Sequence, residues 1–281
     1  MPYILKNKYS ELDLLNTKSL KLLEIEGLSD LGNNINSIKH VNQDGETFNS
    51  SSLDVRDISI TLKITSNNFS EIERIKEKIM RFFIPKTSGK FLVGKLDNER
   101  IINYEVSRIP KFVPVDYKTL NCFIEIVALD PYWLSRFELG EEISTWIGGM
   151  KWKFSLPFKM KQKGETKKNI YNDGHVDTPV KIYFKGPAVN PTIYNRTTGE
   201  FIRVIRELGT DDTLIINTEF GNKTVEIDVR GGNITNAFHY IDLDSTFFNL
   251  QVGDNLIEYT TENDLIPQGV EIRYRERYTG I

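Results

Sequence analysis

Leu120-Asn121-Cys122-Phe123-Ile124-Glu125-Ile126-Val127-Ala128-Leu129-Asp130-Pro131-Tyr132-Trp133 is the stretch on which the reading of the chain turns. Its first ten residues alternate strongly, as a strand with one buried face does. Asp130-Pro131 then ends the strand, because proline fixes its own φ, brings no backbone donor and pushes Asp130 toward an extended conformation. Tyr132 and Trp133 add a large apolar area with polar tips, suited to pinning a domain junction. The sequence divides there. Residues 1–134 read as an α+β domain with one helix on a sheet, 135–281 as an antiparallel β-sandwich, and the whole as mainly β.

Upstream, Val55 opens a strand in which Ile58, Ile60, Leu62 and Ile64 alternate with Ser59, Thr61, Lys63 and Thr65. A helix follows. Ser70 with Glu73 three residues on reads as a capping box, Ile72, Ile75, Ile79 and Phe82 or Phe83 recur at helical spacing, and Pro85 marks the end. An amphipathic helix alone has nowhere to bury that stripe, so it must lie on a sheet. Strands at 91–95 and 101–109 come next, then a loop through Pro110 and Pro114 back to the 120–129 strand. Nearer the start, Gln43-Asp44-Gly45 is a turn and Asn49-Ser50-Ser51-Ser52 a loop.

Downstream, 135–144 reads as a connector. From Trp146 to Lys163 aromatics alternate with lysines, which suits an edge strand protected from edge-to-edge pairing, or a basic aromatic surface for single-stranded nucleic acid; the period of two favours the strand. Apolar runs at 180–184, 191–194, 201–205, 214–217, 225–229, 237–241, 256–259 and 270–274 are then separated by turn residues, about 8–12 residues apart and without helical period.

A length of 281 residues suits two domains at roughly 100–200 residues each. Hydrophobic content of 39% and charge of 27% are ordinary for a globular chain, which excludes wholesale disorder. A net charge of −3 gives no case for specific nucleic-acid binding, which needs a concentrated basic surface. The one cysteine, Cys122, rules out an intramolecular disulfide and a thiolate metal cluster, and inside the alternating strand it reads as a buried thiol. No stretch reads as a signal peptide or reaches the ~20 apolar residues of a membrane span, so the expected site of folding is the cytoplasm.

No catalytic constellation emerges. His40, His175 and His239 are far apart, no glycine pair is followed by the lysine or helix of a phosphate loop, and Asp211-Asp212 and Asp242 with Asp244 lack the further oxygens of a calcium loop. The chain is therefore expected to be no enzyme and to take no cofactor or metal.

Asp44-Gly45, the polar loop after it, Arg56 opening a strand, the 72–83 helix, Pro85 and Asp130-Pro131-Tyr132-Trp133 occur in a specific order. Pro157-Phe158, Gly174, Pro179, Gly186, Asn190-Pro191, Thr198-Gly199-Glu200, the 245–250 run and Gly253-Asp254-Asn255 continue it. In this order the chain resembles, over essentially its whole length, the distal tail proteins of siphophages infecting Gram-positive bacteria. The resemblance implies a galectin-like sandwich for 135–281 and a homo-hexameric ring, single or as two stacked rings, built on 1–134. Such a ring is a structural virion protein of a phage or prophage tail tip, a baseplate hub for host adsorption. Its implied partners are the tail-tube protein, the tail-tip protein and a receptor-binding protein, with no membrane, and its implied place of assembly is the host cytoplasm.

Ring contacts are expected from the 55–65 strand, the helix and 91–108, with Arg56, Ile60, Ile75, Ile79 and Phe82 as candidates. A fragment cut after Trp133 is then expected to form rings still. No long inserted arm interrupts 180–281, which counts against clasping of a receptor-binding protein by such an arm. The competing expectation is a carbohydrate-binding sandwich, with Trp146, Tyr194 or Tyr259 stacking on a pyranose ring. Against it, 180–281 lacks aromatic, asparagine, arginine and glutamate residues at lectin-like spacing.

Overall fold

The two alternating strands lie side by side. Arg56–Thr65 and Thr119–Ala128 pair antiparallel, with Ile58 opposite Ile126, Ile60 opposite Ile124 and Leu62 opposite Cys122, all of them buried. A computed structural model, which describes residues 2–15, 19–95, 98–143, 146–147, 162–163, 166–262 and 269–281, shows the rest of the chain built around them. It forms two units, one of 1–136 together with 278–281, the other of 137–277.

In the first unit ten strands make one sheet. Its main path runs Glu11–Asp13, Tyr3–Asn7, Ser88–Val93, Arg100–Val106, Thr119–Ala128, Arg56–Thr65 and Leu20–Glu26, with neighbours antiparallel. The helix Phe69–Phe82 covers one face, and its Ile72, Ile79 and Phe82 share a core with Ile58, Ile60, Leu62 and Ile64. Its cap lies two residues before the expected Ser70. The Asn68 side chain accepts from the Ser70 amide at 3.0 Å, and Glu71 accepts from the Ser19 and Ser66 hydroxyls at 2.6 Å each. Those two bonds, Ser19 first, hold the Glu71 carboxyl below its ordinary pKa.

Two stretches expected as loops are strands. Lys111–Asp116 pairs with Thr119–Ala128 and, among the described residues, with nothing else; Pro114 is tolerated there because an edge strand can spare an N–H. Asn33–Ile38 and Thr47–Leu53 form an antiparallel hairpin of their own, closed through Asn42 and Gly45 at positive φ.

The second unit is a two-layer sandwich. One sheet has the order Leu139–Ile143, Gly269–Tyr274, Val180–Lys185, Thr213–Asn217, Thr224–Val229 and Asn233–Asn236. The other runs Lys167–Asn172, Gly253–Glu262, Ala188–Asn195 and Glu200–Arg203, with Glu207–Leu208 beside Ala188–Asn195. Both sheets feed one core, in which Phe184 of the first meets Tyr259 of the second edge-on at 5.9 Å. Leu139–Ile143 is a strand where a connector was expected, and within 237–241, expected as a strand, lies the short 3-10 turn Phe238–Tyr240. Of the aromatic and lysine stretch, Trp146–Ile147 pairs with Gln162–Lys163, while 148–161 lies outside the described residues.

Candidate functional site

Arg56 opens its strand in phase with Ile58, Ile60, Leu62 and Ile64, so the backbone turns it inward, where it is 1% exposed. A buried guanidinium is stable only when its donors are met. Here Nε donates to the Pro131 carbonyl at 2.8 Å, Nη1 to those of Gly27 and Leu28 at 2.9 and 3.1 Å, and Nη2 to that of Thr279 at 2.6 Å. The opposite residue in the next strand is Ala128, small enough to leave room. Burial pulls the Arg56 pKa down, and the charge of Asp30 opposes that pull.

The Asp130-Pro131-Tyr132-Trp133 stretch is the other half of this knot. Asp130 Oδ1 accepts from the Tyr132 amide at 3.3 Å and shapes the turn that aims the Pro131 carbonyl at Arg56. Trp133 is fully buried, donates from Nε1 to the Leu28 carbonyl at 3.0 Å, and lies 5.9 Å from the Phe91 ring. Arg56 and Trp133 thus hold the same carbonyl from two sides. Their role is to fix segments 27–28, 131–133 and 279, which are distant in sequence.

Four of the five side chains expected as ring contacts face inward. Arg56, Ile60, Ile79 and Phe82 are all buried within the first unit, and Ile75 is packed against its core. Of the five, Ile75 alone is partly exposed.

The exposed apolar surface lies elsewhere. In the hairpin, Asn33 faces Leu53, Ile35 faces Ser51 and Ser37 faces Phe48, so Ile35, Phe48 and Leu53 share one face. Phe48 is 63% exposed and Ile35 64%, and at the turn Val41 is 93% exposed. A two-stranded hairpin alone is at best marginal in water. A second apolar group sits on the edge strand and its neighbour, where Val113, Val115 and Phe123 are exposed. Sequence reasoning missed both, because serine and asparagine fill the hairpin's other positions and Pro114 hides the edge strand.

Comparison with known proteins decides the family. The family described as "Phage tail protein RIFT-related domain" matches residues 7–128, and "Siphovirus-type tail component, C-terminal domain" matches 173–278. The chain belongs to the siphophage distal tail proteins. Among solved structures this distal tail chain resembles the SPP1 Dit protein, described as a paradigm of the hub adsorption apparatus in phages infecting Gram-positive bacteria. That match has 13% identity, TM-score 0.71 and 98% coverage of each chain. A chain of the phage P2 baseplate in its activated conformation with Ca matches at 12% identity and TM-score 0.52, covering 100% of this chain and 99% of that one. At these identities the likeness is one of fold. No curated protein matches the sequence.

The distal tail chain is a structural component of a phage tail. Its family-motif residues act as fold determinants. Asn255, fully buried, accepts from the Gln251 amide at 2.9 Å and donates to the Gln251 and Gly253 carbonyls at 2.8 and 3.0 Å. Ser245 Oγ accepts from the Arg203 amide at 3.0 Å. Asp212 accepts from the Gly209 amide at 2.9 Å and Asp242 from the Asp244 amide at 3.1 Å, so both acidic groups cap their own turns. Of the sugar-stacking candidates, Tyr259 is 2% exposed and points into the sandwich core, out of reach of any ligand ring. Tyr194 is partly exposed, with the Arg196 guanidinium 4.1 Å over its ring and the Phe201 ring tilted beside it at 5.7 Å. The Trp146 side chain lies outside the described residues. A cavity of about 470 Å³ in the first unit is lined by Lys6, Lys8, Lys90, Tyr104 and Asp130 among others, with neither histidine nor cysteine.

Proposed function

We propose that the chain closes into a homo-hexameric ring, single or stacked as two, that joins the tail tube to the tail-tip protein and serves as hub of the host-adsorption apparatus. It does so as a non-enzymatic scaffold, assembled in the host cytoplasm and carried at the virion tail tip. The observation that carries this reading is the hairpin, whose one apolar face is left uncovered by the described residues of its own chain. A closed ring needs a heterologous contact, in which one surface of a subunit meets a different surface of the next. The hairpin face of Ile35, Phe48 and Leu53 and the edge surface of Val113, Val115 and Phe123 are two such surfaces on different elements.

Light scattering on the purified chain across a concentration series at two salt levels tests this. A hexamer or dodecamer, weakly sensitive to salt because the contact is apolar, is expected. A monomer at every concentration that also fails to bind tail-tube and tail-tip proteins would refute it.

A further inference from the structure

The first unit is discontinuous in sequence: 1–136 belongs to it, 137–277 does not, and 278–281 belongs to it again. The returning residues are built into its interior. The short strand Arg277–Tyr278 lies beside Trp133–Ser135 in the ten-stranded sheet. Tyr278 is 5% exposed within the core of the first unit, with the Arg100 guanidinium 3.5 Å over its ring. The Thr279 carbonyl takes the Arg56 Nη2 donor from 223 residues away in sequence, and the Ile281 carbonyl accepts from Ser29 Oγ at 2.7 Å. Without these residues the buried guanidinium faces an unmet donor and the sheet loses a member.

We propose that residues 278–281 are a strap that completes the first unit only after the second has been synthesised, so that chains interrupted within 137–277 are withheld from whatever the first unit assembles into. A contact between residues so distant in sequence cannot form before the later partner exists, and its closure is the slow, nonlocal step of such a fold. The guanidinium makes that step consequential, since a buried charge tolerates a missing partner poorly. The strap acts within one chain and is independent of the ring reading: the ring can fail with the strap intact, and the strap can fail in a chain that still associates.

The test compares the full-length chain, the full-length chain carrying Tyr278→Ala, and a chain ending at Arg277. The full and the shortened lengths are also compared as ribosome-tethered chains, extended past residue 281 or 277 by a linker that clears the exit tunnel. Cleavage by a broad protease within 2–136 is expected to be at least about tenfold faster for the shorter length, free or tethered, with cleavage within 166–262 unchanged. Tyr278→Ala should fall between. Equal resistance of 2–136 at the two lengths overturns the strap, as does amide exchange in 56–65 and 119–128 that is equally slow with and without 278–281. Simultaneous loss of protection in both units overturns it too, because the strap acts on the first unit alone.

Discussion

Replacing Phe48 with serine should separate assembly from folding. Phe48 is 63% exposed, and of a side chain of about 200 Å² that leaves about 125 Å² open to water. Burying that area against a neighbouring copy would contribute about 3 kcal/mol at about 25 cal/mol per Å². Losing it should raise the concentration needed for each contact by roughly two powers of ten. The folded monomer should change by no more than about 0.5 kcal/mol, because the removed surface touches little of its own chain. Two measurements decide: solution mass across a concentration series, and a denaturant titration followed by circular dichroism. If both Phe48→Ser and Ile35→Ser assemble at the concentration of the parent chain, the hairpin is not the ring contact. If the monomer's midpoint falls sharply, the face is covered within the chain and the reasoning from exposure is wrong.

Arg56→Met should cost the first unit several kcal/mol, since the Pro131, Gly27 and Thr279 carbonyls lose the donors that satisfy them, at about 1–3 kcal/mol each, while Leu28 keeps its bond from Trp133; a chevron or equilibrium titration on the first unit's transition reads this directly. Tyr259→Phe should leave the second unit unchanged or stabilise it by about 1 kcal/mol, because the buried hydroxyl has no hydrogen-bond partner among the described residues; a clear loss of stability would mean it has one. Burial pushes the Cys122 thiol up to about 12 from an ordinary 9.0, so the unfolded chain ionises first and stability should fall as pH rises from about 9 toward 12; native Cys122 should also resist a thiol reagent until denaturant is added. Glu71, with its pKa lowered, works in the opposite sense. The stability it brings is present above the ordinary carboxylate range and is lost as pH falls through the folded value, an effect Glu71→Gln should remove from the acid limb of a stability profile.

Much of the first unit is legible in its period of two. Ile58 to Ile64 declares a buried face by alternation alone, and the helix stripe declares what covers it. The same period bears on the ring candidates: Arg56 stands in phase with the isoleucines, which puts it on the buried face of its strand. The hairpin was illegible for a physical reason. Asn33 to Ile38 and Thr47 to Leu53 carry polar residues on both faces, so no alternation survives to signal a strand, and what pairs them is backbone, helped by bonds from Asn34 to Asp54 and from Ser37 to Glu46. Pro114 suppressed the edge strand in the same way, since proline argues against a central strand and says little about an edge. In the second unit the turn residues marked the strand spacing, yet the 237–241 run shows that a short apolar stretch does not choose between strand and turn by itself. The return of 278–281 left no local trace, because nothing in Tyr278 names Arg100 and nothing in Thr279 names Arg56, 223 residues earlier. The fragment ending at Trp133, expected from sequence to form rings, lacks that return and should be unstable.

The second unit enters and leaves the first on neighbouring strands, Trp133–Ser135 and Arg277–Tyr278. Adjacent strands are only about 4.8 Å apart, so the chain departs and comes back through almost the same doorway. To the first unit, the intervening 137–277 is a loop whose length hardly matters once its two ends are held together. A short turn, or an unrelated sandwich with closely spaced ends, could therefore be spliced between Arg136 and Tyr278 without stretching the host sheet. The first unit is in this sense a socket, defined by two neighbouring strands and indifferent to the length of chain between them.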